Sequence, residues 1–358
     1  MEPTSQPPTK MDDTFLRHKI REYAKQQRHN LRTNANDALR FGLGQIKQEI
    51  CELENLRVKD VQGMAGRIKR RKHATTEDMY RLSHAFLQGN ENINAFAATP
   101  GAIQVIVKEL TGPNEMRRME AADCLCNLSL GEAHVCEKIT TLAGSYLVTF
   151  LHSQESRLVR SCLWTLANIL FSCNKSAKNL LQMQLVTKLW KLYTAPTDDV
   201  HAYQDDAGVC LYLIAAQVAS AVSSEDRHYI AEHLQEKQAT DPAADYYMFI
   251  VYQFEVVNME LEGHWQHLYN FFVAERKFDL VKPTDRLSLL YGVRVWANIL
   301  AMNVKIKIEH QPFISTLNKL FGLRDEGLNK ELLQLLRNFI ELSSVNCVQI
   351  LERIQVFA

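Results

Sequence analysis

One Trp and one Asn, Trp164 and Asn168, stand four residues apart in the apolar stretch 160–170. In an α-helix this spacing puts both side chains on one face, about one turn apart. The adjoining face is apolar at positions i, i+3, i+4 and i+7, the pattern of a helix packed on a core. That face consists of Leu163, Leu166, Ala167 and Leu170. The indole and the amide are therefore predicted to lie beside the core and to make contacts outside it.

Few other residues have a spacing that supports catalysis or metal binding. His264 and His267 have HxxH spacing, and Cys124 and Cys126 have CxC spacing. A structural zinc ion takes four ligands, and neither pair has two further ligands nearby in the sequence. The chain also lacks a Gly-rich phosphate loop, a nucleophile elbow and an HExxH motif. We therefore predict no enzyme activity, no metal site and no cofactor.

The composition is that of a helical globular protein. The 358 residues include only nine Pro and fourteen Gly, which favours long helices over a turn-rich sheet. At this length a chain forms either several domains or an array of repeats. The eight cysteines form no CxxC pair and the N-terminus has no signal peptide, so we expect a cytoplasmic and nuclear protein. No apolar run is long enough to span a bilayer, and we predict no membrane contact.

Charge is distributed unevenly along the chain. Its 41 basic residues balance 41 acidic ones, but residues 10–72 contain sixteen Lys and Arg against eight Asp and Glu. We predict a basic N-terminal segment, residues 1–72, that is partly helical and partly disordered, followed by a helical domain, residues 76–358. Its densest cluster, residues 67–72, is interpreted as a solvated charge run, a nuclear localisation peptide or a nucleic-acid contact. We predict no nucleic-acid partner, because no aromatic residues are interleaved with these charges and the rest of the chain is acidic.

The setting of Asn168 recurs along the chain. Equivalent apolar helical stretches contain Asn127, Asn258, Asn298 and Asn338, and successive spacings are 41, 90, 40 and 40 residues. The interval of 90 is two periods of 45, and Ala216 stands at the missing position. A period of 40 to 47 residues with two or three helices per unit is typical of armadillo and HEAT solenoids. We predict an all-α, armadillo-type solenoid, a right-handed superhelix of about six repeats; a non-repetitive helical bundle is the alternative.

The Trp164-x-x-x-Asn168 motif resembles the WxxxN signature of importin-alpha armadillo repeats. Residues 119–125 and 144–151, followed by the helix at residues 163–170, resemble an importin-alpha-like armadillo protein more closely. That similarity covers roughly residues 85–195 and continues beyond them only as armadillo periodicity. The resemblance of the motif implies that its residues lie on the third helix of each repeat and line a groove for an extended cargo peptide. In that family the Asn amide binds the peptide backbone, and Trp indoles flank the stems of its lysines. The chemistry is suitable, since an amide both donates and accepts, and an indole face attracts a Lys stem and its ammonium.

The resemblance implies two sets of functional residues. The peptide-binding set is Asp123, Asn127, Trp164, Asn168, Tyr212, Asn258, Asn298 and Asn338. The basic N-terminal segment would bind importin-beta or occupy the groove in cis as an autoinhibitory cargo mimic. Its implied residues are Arg17, Lys19, Arg21, Arg28, Arg32, Arg67, Lys69, Arg70, Arg71 and Lys72.

The array departs from the importin-alpha pattern four residues before each Asn position. Those residues are Asp123, Trp164, Tyr212, Phe254, Arg294 and Gln334, of which only one is Trp. Arg294 would repel a cationic cargo side chain. A helical Asn can also be structural, capping a turn or bonding the neighbouring repeat. Two hypotheses follow: an importin-alpha-like adaptor that binds basic cargo peptides for nuclear import, with a weakened preference for basic signals, or a general armadillo scaffold for protein interactions.

Overall fold

The described part of the chain is built from helices. A computed structural model describes residues 56–196, 203–258, 264–274, 282–302, 308–342 and 347–354. These ranges contain seventeen α-helices, five short 3₁₀ helices and no strand. No helix within them combines the length and apolarity needed to cross a membrane. The chain forms two compact units, residues 1–185 (unit 1) and residues 186–358 (unit 2).

The described part of unit 1 contains eight complete α-helices. They are α1 (Val58–Arg71), α2 (Thr76–Gln88), α3 (Asn90–Ala97), α4 (Ala102–Leu110), α5 (Glu115–Leu128), α6 (Ala133–Thr149), α7 (Ser156–Ser172) and α8 (Asn174–Leu181). Helix α2 packs against α5, and α5 packs against α7. These three are the third helices of successive repeats in unit 1. Of the helices between them, α3 packs against α2, α4 against α5 and α6 against α7.

Side-chain caps mark where two of these third helices, α2 and α5, begin. The Thr75 hydroxyl accepts a hydrogen bond from Asp78 N (3.1 Å), while Asp78 Oδ2 accepts one from Thr75 N (3.2 Å). This capping box satisfies backbone donors that the first turn of α2 would leave open. Asn114 caps α5 by accepting from Arg117 N at 3.0 Å. Between α3 and α4 the turn contains Gly101 at φ +88°, a conformation that favours glycine.

Helix α1 brings the basic cluster into the helical packing of unit 1. It buries four apolar residues, Val61, Met64, Ala65 and Ile68. It packs against α2, α3 and α4, and residues 67–72 form its last turn and C-terminal cap. This differs from the predicted boundary, which placed residues up to 72 in a separate segment. The apolar stripe of α1 is narrow and its other residues are strongly charged, which explains why the sequence suggested an independent basic segment.

Unit 2 contains longer stretches of irregular structure between its helices. Its helices are α9 (Leu185–Thr194, starting at the unit boundary), α10 (Gln204–Gln217), α11 (Ser224–Glu232), α12 (Tyr247–Gln253), α13 (His264–Val273), α14 (Pro283–Ala301), α15 (His310–Gly322), α16 (Glu326–Leu342) and α17 (Cys347–Leu351). The third helices are α10, α12, α14 and α16, each packed against the next. Helix α12 has only seven residues and is followed by a 3₁₀ turn, Val256–Asn258.

The prediction of an all-α, armadillo-type solenoid is confirmed. Its third helices pack against one another within each unit at intervals of about 40 residues, as stacked repeats require. The six predicted repeats began with the one containing Asn127. Helices α1 and α2 add a further, preceding repeat within the described residues. Residues 1–55, which make up the rest of the predicted basic segment, lie outside the described residues.

Candidate functional site

Three third helices of unit 1 each present a pair of aromatic or polar side chains at the same turn. The pairs recur every 41 to 43 residues, and the two members of a pair are four residues apart. Contacts between helices fix this register: Ser83 Oγ donates to Asp123 O (3.5 Å), and Ser161 Oγ donates to Asp123 Oδ1. We call these six residues the unit 1 face: Tyr80 and His84 on α2, Asp123 and Asn127 on α5, and Trp164 and Asn168 on α7. Five of them are partly exposed, and Asn168 is 5% exposed.

Both Asn side chains of the unit 1 face donate hydrogen bonds to the preceding third helix. Asn127 Nδ2 lies 3.2 Å from the carbonyl oxygen of Ser83 and 2.7 Å from its hydroxyl. Asn168 Nδ2 lies 3.4 Å from Cys126 O and 2.8 Å from Ser129 Oγ. These contacts engage the amide donors that a peptide backbone would need. The two Asn residues therefore join neighbouring repeats, and their binding of a peptide stays a prediction.

The three predicted Asn positions of unit 2 differ from one another. Asn338 is buried, donates to Ala297 O at 2.8 Å and accepts from Gln334 Nε2 at 2.9 Å. Asn298 is exposed on α14. Asn258 ends the 3₁₀ turn after α12, and its side chain lies outside the described residues. One of the three, Asn338, thus has the same inter-repeat role as Asn127 and Asn168.

Asp123 belongs to an ion-pair network between α5 and α7. Arg157 Nη2 lies 2.6 Å from Asp123 Oδ2 and 2.7 Å from Glu120 Oε1, and its Nε lies 3.0 Å from the same Asp123 oxygen. Ser161 donates to the other Asp123 oxygen. A predicted peptide-contacting carboxylate is therefore already bound to a guanidinium of the next repeat. No sequence rule specifies this partner, which stands 34 residues later.

Burial and charge act in opposite directions on the groups of this network. Burial raises the pKa of Glu120, and the nearby Arg157 only partly counters that effect. For Arg157, burial alone would lower the pKa, but the charges and hydrogen bonds of Asp123 and Glu120 raise it well above its usual value. Arg157 therefore stays charged, and the two carboxylates depend on its charge because they lie close to each other.

The aromatic members of the unit 1 face stand on its two outer helices. Trp164 is partly exposed on α7. On α2, the rings of Tyr80 and His84 contact each other edge to face, with 4.4 Å between the ring centroids. The Asn period did not predict this pair, because His84 stands where the next two repeats have Asn. The aromatic residue 43 positions before Asp123 was the signal that could have found it.

Two predicted positions in unit 2 have partners within the protein. Tyr212 is 3% exposed, and its ring lies 5.4 Å from that of Tyr246 and 4.9 Å from that of Phe249. The prediction that Tyr212 lines a peptide groove is therefore corrected, because its ring belongs to the core. Arg294, where repulsion of a cation was expected, donates to Glu331 Oε1 from Nε (3.0 Å) and Nη2 (2.7 Å).

The basic cluster at residues 67–72 forms the last turn of α1 and its C-terminal cap. Arg67 Nη2 lies 2.5 Å from Asp78 Oδ1, which ties α1 to α2. The other four cluster residues, Lys69, Arg70, Arg71 and Lys72, are exposed at the end of α1. An extended cargo mimic would need non-helical backbone here. Of the predicted importin-beta-binding residues, Arg17, Lys19, Arg21, Arg28 and Arg32 lie outside the described residues.

Metal-ligating side chains do not converge in the part of the chain that the structure describes: no group of three or more His, Cys, Asp or Glu could hold an ion. His264 and His267 lie on α13, and burial lowers the pKa of each imidazole. Cys124 and Cys126 are buried on α5 and form no disulfide. The residues of the HxxH and CxC motifs thus belong to helices, and both cysteines lie in the core.

Comparison with known proteins supports the fold and not an activity. No protein-family model matches the chain. An engineered protein of solved structure is similar at 19% identity and a TM-score of 0.60, over 88% of this chain and 78% of that chain. A designed armadillo repeat protein shares 18% identity over 79% of this chain and 100% of that chain, with a TM-score of 0.44. Another, in complex with the peptide (KR)4, shares 17% identity over 79% and 100%, with a TM-score of 0.43. The last two similarities are too low to add to the fold, which follows from the chain's own helices.

Proposed function

We propose that the chain is an armadillo-type interaction scaffold whose unit 1 face binds a segment of a partner protein. The observation that carries the proposal is the recurrence of partly exposed aromatic and polar pairs on three successive third helices, α2, α5 and α7. A segment lying across these helices meets one pair in each repeat, which is how solenoids use their long surfaces. Trp and Tyr are also the residues that most often dominate binding energy at interfaces.

The chemistry of the face favours recognition through side chains of the partner. The Asn127 and Asn168 amides donate to the preceding helices, so they offer few donors to a partner's backbone. The Trp164 and Tyr80 rings offer apolar surface instead, and His84 offers a titratable ring beside Tyr80. We therefore expect a partner segment with apolar or aromatic anchors spaced to reach α2 and α7.

Selection of peptides against the full chain tests this proposal. Peptides displayed on phage are selected for binding, and their affinities are then measured on variants by fluorescence anisotropy. We expect Trp164→Ala to weaken the selected peptides by about 30-fold, the loss that about 2 kcal/mol at a hot spot produces. Tyr146→Ala is the matched control, because Tyr146 is a 43% exposed aromatic residue on α6 and not on the unit 1 face.

The outcomes of this selection are distinct. Peptides that lose affinity on Trp164→Ala and keep it on Tyr146→Ala support binding at the unit 1 face. Equal affinities for wild type and both variants would move the binding surface elsewhere. A failure to select any peptide would overturn the proposal for extended segments.

An importin-alpha-like adaptor is the second candidate function. It is favoured by the Trp164–Asn168 pair and by two carboxylates, Glu120 and Asp123, on the neighbouring third helix. In this function the partners are basic cargo peptides and, through the N-terminal segment, importin-beta, and the protein acts in the cytoplasm and the nucleus. The pairing of both carboxylates with Arg157 and the helical form of the cluster at residues 67–72 count against it.

Capture of importin-beta separates the two candidates. The full chain and a variant lacking residues 1–55 are compared in a pull-down with purified importin-beta. Capture by the full chain alone would support the adaptor. If neither protein captures importin-beta, the import function fails and the interaction scaffold remains.

A further inference from the structure

Arg157 on α7 contacts two carboxylates of α5, one of which, Asp123, belongs to the unit 1 face. Glu120, Asp123 and Asn127 stand at i, i+3 and i+7 on α5 and so share one side of that helix. The Arg157 guanidinium approaches both carboxylates from α7, at 2.7 Å from Glu120 and 2.6 Å from Asp123. Trp164 stands seven residues after Arg157, on the same side of α7. The ion pairs therefore join α5 to α7 about two turns before Trp164, on the side of α7 that contains it.

We propose that Arg157 occupies, from within the chain, a guanidinium site formed by Glu120 and Asp123, and that it thereby excludes basic partner segments from the unit 1 face. This inference rests on the proposed binding function of that face and names its charge specificity. Arg157 is a specificity-determining residue, and Glu120 and Asp123 are the groups that it shields. A basic side chain of a partner must displace Arg157 before it can reach them.

Burial explains why the site is suited to a cation. The side chains of Glu120 and Asp123 are 12% and 28% exposed, whereas that of Arg157 is 42% exposed. The carboxylates thus lie deeper than the cation that pairs with them. Two neighbouring, partly buried carboxylates are unfavourable without a cation, and planar guanidinium groups satisfy several carboxylate oxygens at once. Because Arg157 is part of the same chain, it competes with any partner at a high effective concentration.

Unit 2 contains related ion pairs with the direction reversed, because here two arginines of the earlier third helix each pair with one carboxylate further on in the chain. Arg294 on α14 donates from Nε and Nη2 to Glu331 on α16, and its guanidinium carbon lies 5.1 Å from the ring centroid of Tyr291. Arg286, at the start of α14, pairs with Asp325 at 3.0 Å. In both units, an arginine of one third helix covers a carboxylate at or next to the neighbouring third helix. Intrachain cations therefore neutralise the carboxylates that a basic segment would use.

Removal of Arg157 tests the proposal. The full chain and Arg157→Ala are titrated against fluorescein-labelled (Lys-Arg)4 peptide at low salt, with binding measured by fluorescence anisotropy. We expect Arg157→Ala to bind the peptide at least about tenfold more tightly than wild type. This is the gain in affinity that one recovered charge-assisted hydrogen bond gives. Arg157→Gln is a second variant that keeps most of the side-chain packing, and thermal melting followed by circular dichroism establishes that each variant folds.

Two controls separate a specific site from a general change of charge. Arg160→Ala removes a positive charge three residues from Arg157 on the same helix, while the Arg157 pairs remain, and we expect a change of less than about threefold. Adding Glu120→Gln and Asp123→Asn to Arg157→Ala should abolish the gain. The proposal is overturned if both Arg157 variants bind no more tightly than Arg160→Ala, or if the gain survives loss of the carboxylates. The proposed binding function fails separately, when selected peptides are insensitive to Trp164→Ala.

Discussion

Unit 1 and unit 2 share the repeat architecture but fill their cores with different side chains. Asn and Arg side chains link third helices in both units, and the core of unit 1 is mainly aliphatic. In unit 2, rings fill the core: of the ten aromatic residues among the largest fully buried side chains, eight belong to unit 2. Trp296, for example, contacts Tyr269 at 5.7 Å and Phe313 at 6.2 Å between ring centroids.

The difference explains why the candidate binding face lies on unit 1. In unit 1, Asn127 and Asn168 form hydrogen bonds to the preceding third helix, and Tyr80 and Trp164 are partly exposed. In unit 2 the aromatic residue at the equivalent position, Tyr212, is drawn into the core. An aromatic residue cannot both fill a core and serve as a surface anchor. A unit with a mainly aliphatic core can therefore present a repeated face that an aromatic-packed unit cannot.

Loss of a buried ring in unit 2 should have the largest effect on stability. Trp296 is fully buried, and its Nε1 donates to Leu268 O at 3.3 Å. Trp296→Ala should lower the free energy of unfolding by about 3–5 kcal/mol, because it removes apolar contacts and leaves a cavity. Urea denaturation followed by circular dichroism measures the loss. Trp164→Ala is the control, with an expected loss below about 2 kcal/mol for a partly exposed ring. Equal losses for the two variants would contradict the assignment of aromatic packing to unit 2.

Unit 2 also contains a fully buried lysine, which makes its stability dependent on pH. The Lys237 ammonium donates to three oxygens and lies 4.1 Å from the ring centroid of Tyr193. Burial lowers the pKa of Lys237 from 10.5 to about 8, although nearby Asp241 and Asp205 act in the opposite direction. The three accepting atoms are Tyr193 O (2.9 Å), Gln204 Oε1 (2.9 Å) and Pro242 O (2.6 Å).

A comparison of wild type with Lys237→Met at several pH values tests this buried charge. The pKa in the folded state is below that in the unfolded state, so between about pH 8 and 10.5 the unfolded chain binds more protons. The contribution of Lys237 to the free energy of unfolding therefore increases with pH in that window, by roughly 3 kcal/mol in total. Below about pH 8 the cost of the buried charge is fully present. Denaturation curves should show wild type gaining stability relative to Lys237→Met as pH rises, and parallel pH profiles would refute the low pKa.

The smallest expected effect concerns the amide links of unit 1. Asn168→Ala removes the donor to Cys126 O and Ser129 Oγ and should cost about 1–3 kcal/mol of unfolding free energy. Asn298 stands at the equivalent position on α14 but is exposed, so Asn298→Ala should change stability by less than about 0.5 kcal/mol. Chemical denaturation of both variants measures the difference. A cost for Asn298→Ala as large as that for Asn168→Ala would mean that the inter-repeat hydrogen bonds of Asn168 do not account for its contribution to stability.

The fold was predictable from the sequence because its signal is periodic. The spacing of Asn127, Asn168, Asn298 and Asn338 requires only that each repeat repeats its own local pattern. Helix α1 was not predicted as part of the domain, because a narrow apolar stripe is hidden by its charges. The partners of the site residues were also beyond the sequence. Whether an Asn amide donates to the helix about 40 residues earlier or to a ligand depends on how two repeats stack.

The burial of Tyr212 is a second contact between distant residues that the sequence did not predict. Its phase in the repeat matches that of Trp164, yet rings of the segment containing Tyr246 and Phe249 pack on it. Those rings lie more than 30 residues later and carry no local signal for the contact. Sequence pattern therefore predicted which positions are equivalent. It could not determine which equivalent positions reach the surface.

The amide links between third helices also bear on how the array unfolds. In a linear array, each repeat is coupled only to its neighbours, and cooperativity is the sum of these couplings. Asn127, Asn168 and Asn338 each supply one such coupling within their unit, whereas Asn298 on α14 is exposed. Hydrogen exchange should therefore detect α5 with α7, and α14 with α16, as pairs of helices whose amides become exposed together.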